Sequence, residues 1–255
     1  MYPVREIKDI CYDPEHGLLL DLYLPEMPGP HPVFVFFHGG GFEDYRQKDM
    51  GEPVSRYLAS QGILCVNPAY RHYPKAKFPD FIEDGAKAVA WVKAHLKEYA
   101  QPGKLFVGGH SAGAHLSMLL CFDGQYLSAH GIDSKAHIDG YIFISGQPTT
   151  HMNVLKEDGT DSRVVMIDHR APLYHLRDGS GPPLLITCTD EDIQNRLEQT
   201  ELLVGTLKHF AYQAEVDYQV IHGYGHNSCL FPDEKHPENP CAGTVLIRQF
   251  IERHR

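Results

Sequence analysis

Ser111 stands in Gly109-His110-Ser111-Ala112-Gly113, between the apolar run Leu105-Phe106-Val107 and a helix-like apolar run from Leu116 to Phe122. A serine at a strand-to-helix turn is held in a strained conformation that lifts its hydroxyl clear of the sheet, and flanking glycines leave room for the turn. The pattern G-x-S-x-G also arises by chance, but strand, motif and helix occur here in the order that a nucleophile requires. Upstream, His38-Gly39-Gly40-Gly41-Phe42 ends the strand-like run Val33-Phe34-Val35-Phe36-Phe37. Glycines let backbone N–H groups point into a cleft, where fixed donors stabilise the negative oxygen of an acyl-transfer intermediate. The expected donors are the N–H groups of Gly40, Gly41 and Ala112. Alone, such a glycine run is a flexible turn after a buried strand. Paired with the Ser111 turn, it is better explained as an oxyanion site.

On these two motifs the chain resembles the α/β-hydrolase superfamily, and specifically its HGGG-containing esterases related to hormone-sensitive lipase and to bacterial feruloyl and acetyl-xylan esterases. The resemblance continues through Ala69-Tyr70-Arg71, Phe78-Pro79, Glu83-Asp84 and Trp91-Val92, and covers nearly the whole chain. One departure is His110, where many relatives carry an acidic residue before the serine. The fold implied is an α/β-hydrolase fold, a mostly parallel doubly wound sheet with an N-terminal antiparallel hairpin.

A serine hydroxyl needs a base, and in this fold the histidine comes last, after the acid. Of the 17 histidines, His226 follows a strand-like segment and lies in Gly223-Tyr224-Gly225-His226-Asn227, similar to the G-x-x-H loop of the family. His222 is the weaker candidate. The acid belongs to the turn Thr189-Asp190-Glu191-Asp192-Ile193, and the family spacing from Pro182-Pro183 points to Asp192, with Asp190 as the alternative. Either aspartate could instead cap a helix beginning near Ile193. Arg71 and Asp84 are expected to be structural, and the remaining histidines have no derived role.

With 255 residues and 42% apolar content the chain can bury one large core. A single domain over 1–255 is expected, with residues 147–181 as a short insertion near the active site and no separate cap domain. The formal net charge of −10 disfavours nucleic acid and anionic membrane surfaces as partners. No secretory signal pattern or 18-residue apolar run is visible, so a cytoplasmic protein is expected. Of the six cysteines, Cys229 and Cys241 bracket a Pro-rich loop and could bridge under oxidising conditions, whereas several others read as buried thiols. No metal-binding spacing occurs, and no cofactor is expected. The composition leaves room for a homo-oligomer.

The segments that must position these groups alternate between β and α. Val4 to Cys11 and Leu18 to Leu24 read as a hairpin; strands follow at 33–37, 63–66, 105–108, 139–145, 184–188 and 215–221. Helices are expected at about 50–61, 80–100, 112–122, 193–212 and 243–254. Loops after the strands should line the pocket, which makes Phe42, Tyr45, Gln147, Pro148 and Phe231 lining candidates. The short insertion predicts an open, shallow site. The expected function is a serine carboxylesterase for short-chain acyl esters, including acetylated or feruloylated carbohydrate. A kynurenine-formamidase-like amidase and a non-catalytic ligand-binding protein on the same scaffold are the alternatives.

Overall fold

The computed structural model describes residues 1–43, 48–231 and 242–255. Strand β3 (His31–Phe37) is buried along its whole length. Because successive strand side chains point to opposite faces, Val33, Val35 and Phe37 enter one apolar cluster and Phe34 and Phe36 another. A strand of this kind needs helices on both sides of its sheet.

The sheet that results has eight strands in the order β1-β2-β4-β3-β5-β6-β7-β8. The strands not yet placed are β1 (Val4–Asp13), β2 (Leu18–Pro25), β4 (Leu64–Pro68), β5 (Pro102–His110), β6 (Gly140–Ile144), β7 (Leu184–Glu191) and β8 (Val216–Gly225). β1 and β2 form the antiparallel hairpin, β2 joins β4 antiparallel, and all later pairings are parallel. On one face pack α2 (Asp80–His95), α3 (Ala112–Phe122) and α7 (Arg196–His209), through residues such as Val89, Leu119 and Leu203. On the other face pack α1 (Glu52–Ser60) and α8 (Ala242–His254), through Leu58, Ile247 and Phe250. Each such fully buried side chain contributes about 2 kcal/mol of transfer free energy.

Most elements differ from expectation by a few residues at their ends, and at two of them the structure shows the local cause. The helix expected from 193 starts at Arg196, because Asn195 before it takes a left-handed conformation (φ 64°). The helix expected to reach residue 100 ends at His95 and tightens into a 3₁₀ turn at Leu96–Glu98, the usual way a last turn satisfies free carbonyls. Between β3 and α3, Arg71 grips the fully buried Asp84 with Nε and Nη2 at 2.8 Å, a structural pair. Residues 147–181 carry two short helices, α5 (Met152–Glu157) and α6 (Pro172–His175), and α4 (Gln125–Ser128) precedes β6. Cys65, Cys121, Cys188 and Cys229 are buried free thiols and Cys11 is exposed. Cys241 lies outside the described residues. No described helix is long and apolar enough to cross a membrane.

Candidate active site

Ser111 joins β5 to α3 with φ 55° and ψ −115°, outside the ordinary regions for a residue with a side chain. Such a conformation costs roughly 1–3 kcal/mol and persists only where its surroundings impose it. Here the Ser111 N–H donates to the Ile144 carbonyl at 2.9 Å, and the Ser111 carbonyl accepts from His115 N–H at 3.0 Å. The flanking glycines are required by close approach: a Cβ on Gly109 or on Gly113 would collide with the backbone of Phe37. The end of β3 and the start of α3 are thereby held in backbone contact, which sets the glycine loop beside the serine.

The Ser111 hydroxyl lies 2.8 Å from Nε2 of His226, and Nδ1 of His226 lies 2.6 Å from Oδ1 of Asp192. With the proton on Nδ1, His226 donates to the carboxylate and accepts from the serine. The Asp192 side chain is almost wholly buried and also accepts from Thr189 Oγ1 at 2.9 Å and Ile193 N–H at 2.7 Å. Burial alone would raise its carboxyl. The hydrogen bond and charge of His226, with the hydrogen bond from Ile193 N–H, outweigh that and hold it well below the usual carboxylate range. Asp190, the alternative, instead pairs with the exposed His222 at 3.0 Å and with Gly223 N–H at 2.7 Å. The two aspartates therefore hold two different histidines, and only Asp192 reaches the one that touches Ser111. Asp192 caps no helix, since α7 begins four residues later.

His110 acts on the backbone beneath His226. Its Nε2 lies 2.8 Å from the His226 carbonyl, and the two rings lie 4.9 Å apart. Burial, reinforced by the neighbouring His226, pushes the His110 imidazole down to about 3, so it is neutral at ordinary pH and Nε2–H can donate to that carbonyl.

The glycine loop turns sharply at Gly40 (φ 111°), Gly41 (φ 68°) and Phe42 (φ 62°). Glu43 N–H closes the turn on the Gly40 carbonyl at 3.1 Å. Gly40, Gly41, Ser111 and His226 line one cavity of about 200 Å³. Ala112 is the first residue of α3, where helix N–H groups lack intrahelical partners. A larger groove of about 590 Å³ includes Phe78, Gln125 and His169 and contains none of these groups.

The lining of the cavity departs from expectation. Phe42 is fully buried and stacks on Phe81 at 4.0 Å, so it belongs to the core. The Gln147 side chain is engaged away from the cavity, on the Thr150 carbonyl at 2.9 Å, on Met152 N–H at 3.3 Å and on Arg196 Nη2 of α7 at 3.5 Å. Pro148, also buried, receives Leu173 N–H on its carbonyl at 3.0 Å. Phe231 packs edge-on against His110 at 5.8 Å. Tyr45 lies outside the described residues. The wall comes instead from Met152, Asn153 and Lys156 of α5, together with Ile193 and Asn227. Met152 and Lys156 share a helix face by their i, i+4 spacing, the only sequence signal that could have marked them.

One group of three possible metal ligands occurs among the described residues, Asp13, Glu15 and His16. Asp13 already binds Lys87 Nζ at 2.7 Å and His16 at 2.9 Å, so a cation would have to displace an ammonium.

The BD-FAE family model matches residues 20–142. Esterase LipC of Mycobacterium tuberculosis is 28% identical over 96% of this chain and 65% of its own length. The probable carboxylic ester hydrolase LipM of the same organism is 39% identical over 37% of this chain and 22% of its own. These matches span less than two thirds of either relative. A truncated carbohydrate esterase from gut microbiota superposes with a TM-score of 0.78 at 19% identity, covering 99% of this chain and 96% of that one. By sheet order and by these matches, the chain has the α/β-hydrolase fold and is similar in sequence to esterases.

Proposed function

We propose that this protein is a serine carboxylesterase that hydrolyses short-chain acyl esters. The observation that carries the reading is the unbroken series Ser111 Oγ, His226 Nε2, His226 Nδ1, Asp192 Oδ1, opening on a cavity shared with Gly40 and Gly41. Ser111 Oγ attacks the ester carbonyl while His226 takes its proton, and Asp192 stabilises the imidazolium. The N–H groups of Gly40, Gly41 and Ala112 receive the oxyanion. Collapse expels the alcohol, which takes the proton from His226 and leaves an acyl group on Ser111. Water then attacks with His226 again as base, and the carboxylic acid departs. The reading treats residues 1–255 as one domain in which 147–181 walls the site.

A cavity of about 200 Å³ falls below the roughly 300–1,000 Å³ of drug-sized ligand sites. It favours acetyl to butyryl groups. The alcohol side then extends outward, which is compatible with an acylated carbohydrate, the substrate class named for the gut carbohydrate esterase of the same fold. Each extra methylene buried in a matched groove would contribute about 0.8 kcal/mol. In a p-nitrophenyl ester series, kcat/KM should peak between acetyl and butyryl and be poor at octanoyl. Formylkynurenine should be a poor substrate beside them. A maximum at decanoyl, or preference for the formyl amide, would contradict the substrate assignment.

A further inference from the structure

The glycine loop is held by a residue from outside it. Nδ2 of Asn153, on α5 of the insertion, donates to the Gly41 carbonyl at 2.6 Å. Asn153 is buried, at 7% exposure, and a Cβ on Gly41 would lie 2.8 Å from that same nitrogen, so the amide is seated directly on the loop. Within a trans peptide, C=O and N–H point in opposite directions. The Glu43 N–H bond to the Gly40 carbonyl therefore fixes the direction of Gly41 N–H, and the Asn153 bond to the Gly41 carbonyl fixes the next peptide. A turn through three residues of positive φ has no strand or helix ladder to hold it, so such tethers decide its shape.

Asn153 is itself anchored. Its N–H caps on His151 Nδ1 at 3.2 Å, and Met152 N–H bonds Gln147 Oε1 at 3.3 Å. The carbonyl of that same Gln147 bonds His115 Nδ1 at 2.6 Å, four residues beyond Ser111 on α3. The buried Arg196 side chain of α7 donates to the Ser145 carbonyl. The start of the insertion is thus tied to the helix after the serine and to the helix after the acid.

We propose that Asn153 is a positioning residue for the oxyanion site: by holding the Gly41–Phe42 peptide it fixes the turn that aims the Gly40 and Gly41 N–H groups where charge develops on the ester carbonyl. The assignment rests on the esterase reading above. Asn153→Asp preserves size and removes the donor, setting a carboxylate against a carbonyl oxygen. Glu43, Lys156 and His226 line the same cavity and His151 precedes it on α5, so wild-type protein at each pH is the reference.

At about pH 8, kcat on p-nitrophenyl acetate should fall about tenfold or more, with KM changed less than about threefold. Phosphonylation of Ser111 should slow in parallel yet still reach completion. The ratio of variant to wild-type kcat should recover toward about pH 5, where a protonated carboxyl donates again. If Asn153→Asp does not fold, Asn153→Ala should show the kcat loss, and Asn153→Gln, which keeps an amide donor, should retain about a third of wild-type kcat or more.

An Asp variant within about twofold of wild type at pH 8, or equal losses for Asp, Ala and Gln with KM rising alongside, would overturn the assignment. If wild type turns over ester and Ser111→Ala does not, that failure belongs to Asn153 alone. A wild type with no ester turnover would overturn the esterase reading and this assignment with it.

Discussion

Asp190 and Asp192 sit two residues apart, and each holds a histidine, yet their surroundings separate their work. Asp190 lies within β7 and pairs with His222, whose side chain is 78% exposed. Asp192 lies just past the strand, where its buried carboxylate receives His226, Thr189 and Ile193. Asp192→Asn should keep the fold and lower kcat by about 10³–10⁴, through loss of the His226 tautomer and charge partner. Asp190→Asn, removing only a solvent-screened pair, should leave kcat within about twofold. Steady-state rates on p-nitrophenyl acetate check both, and the reverse ranking would contradict the assignment. Ser111 and His226 were legible in sequence because each carries a local motif. The carboxylate that meets His226 needed a register, since three carboxylates share one turn. The cavity wall was not legible: Phe42 and Gln147 stand beside the motifs but turn into core and loop hydrogen bonds.

At the scale of elements, the contact between the end of β3 and the start of α3 sets the site. A Cβ on Gly113 would meet the backbone carbonyls of Phe37 and His38, neither of which can yield without moving the glycine loop. Gly113→Ala should therefore cost at least about 3 kcal/mol, read as a lowered denaturant midpoint, and abolish turnover in whatever folds. A stability loss below about 0.5 kcal/mol, typical of a harmless surface change, would contradict this close packing. The long elements were readable because their apolar period runs over two or more turns: the helix expected at 112–122 spans Ala112–Phe122, and the one expected at 243–254 spans Ala242–His254. Six-residue α5 and four-residue α6 are too short to show a period. Met152, Asn153 and Lys156, which wall the cavity from α5, fell into that blind interval.

For the molecule as a whole, the surplus of histidines has a thermodynamic consequence. His110, His115 and His151 are each fully buried, and burial above all pushes them down, to about 3 for His110, about 4 for His115, and well below the ordinary value for His151. Unfolded imidazoles take up protons below about 6.5, whereas these do not until far lower pH. Their contribution is thus complete above about pH 6.5 and is lost as pH falls. At pH 5 each would cost about 2 kcal/mol, against a total stability of about 5–15 kcal/mol. The thermal midpoint should drop by at least about 8 °C between pH 7 and pH 5. A midpoint flat across that interval would contradict the buried, neutral state of these rings.

If the Ser111 hydroxyl is activated for acyl transfer by its hydrogen bond to His226, it should react as no other hydroxyl in this chain does. The most direct test of that activation is reaction with a fluorophosphonate, followed by mass mapping of the modified residue. One label per chain is expected, on Ser111, with turnover lost in proportion and labelling abolished in both Ser111→Ala and His226→Ala. A label on another residue, or ester turnover that survives full modification of Ser111, would contradict the activation.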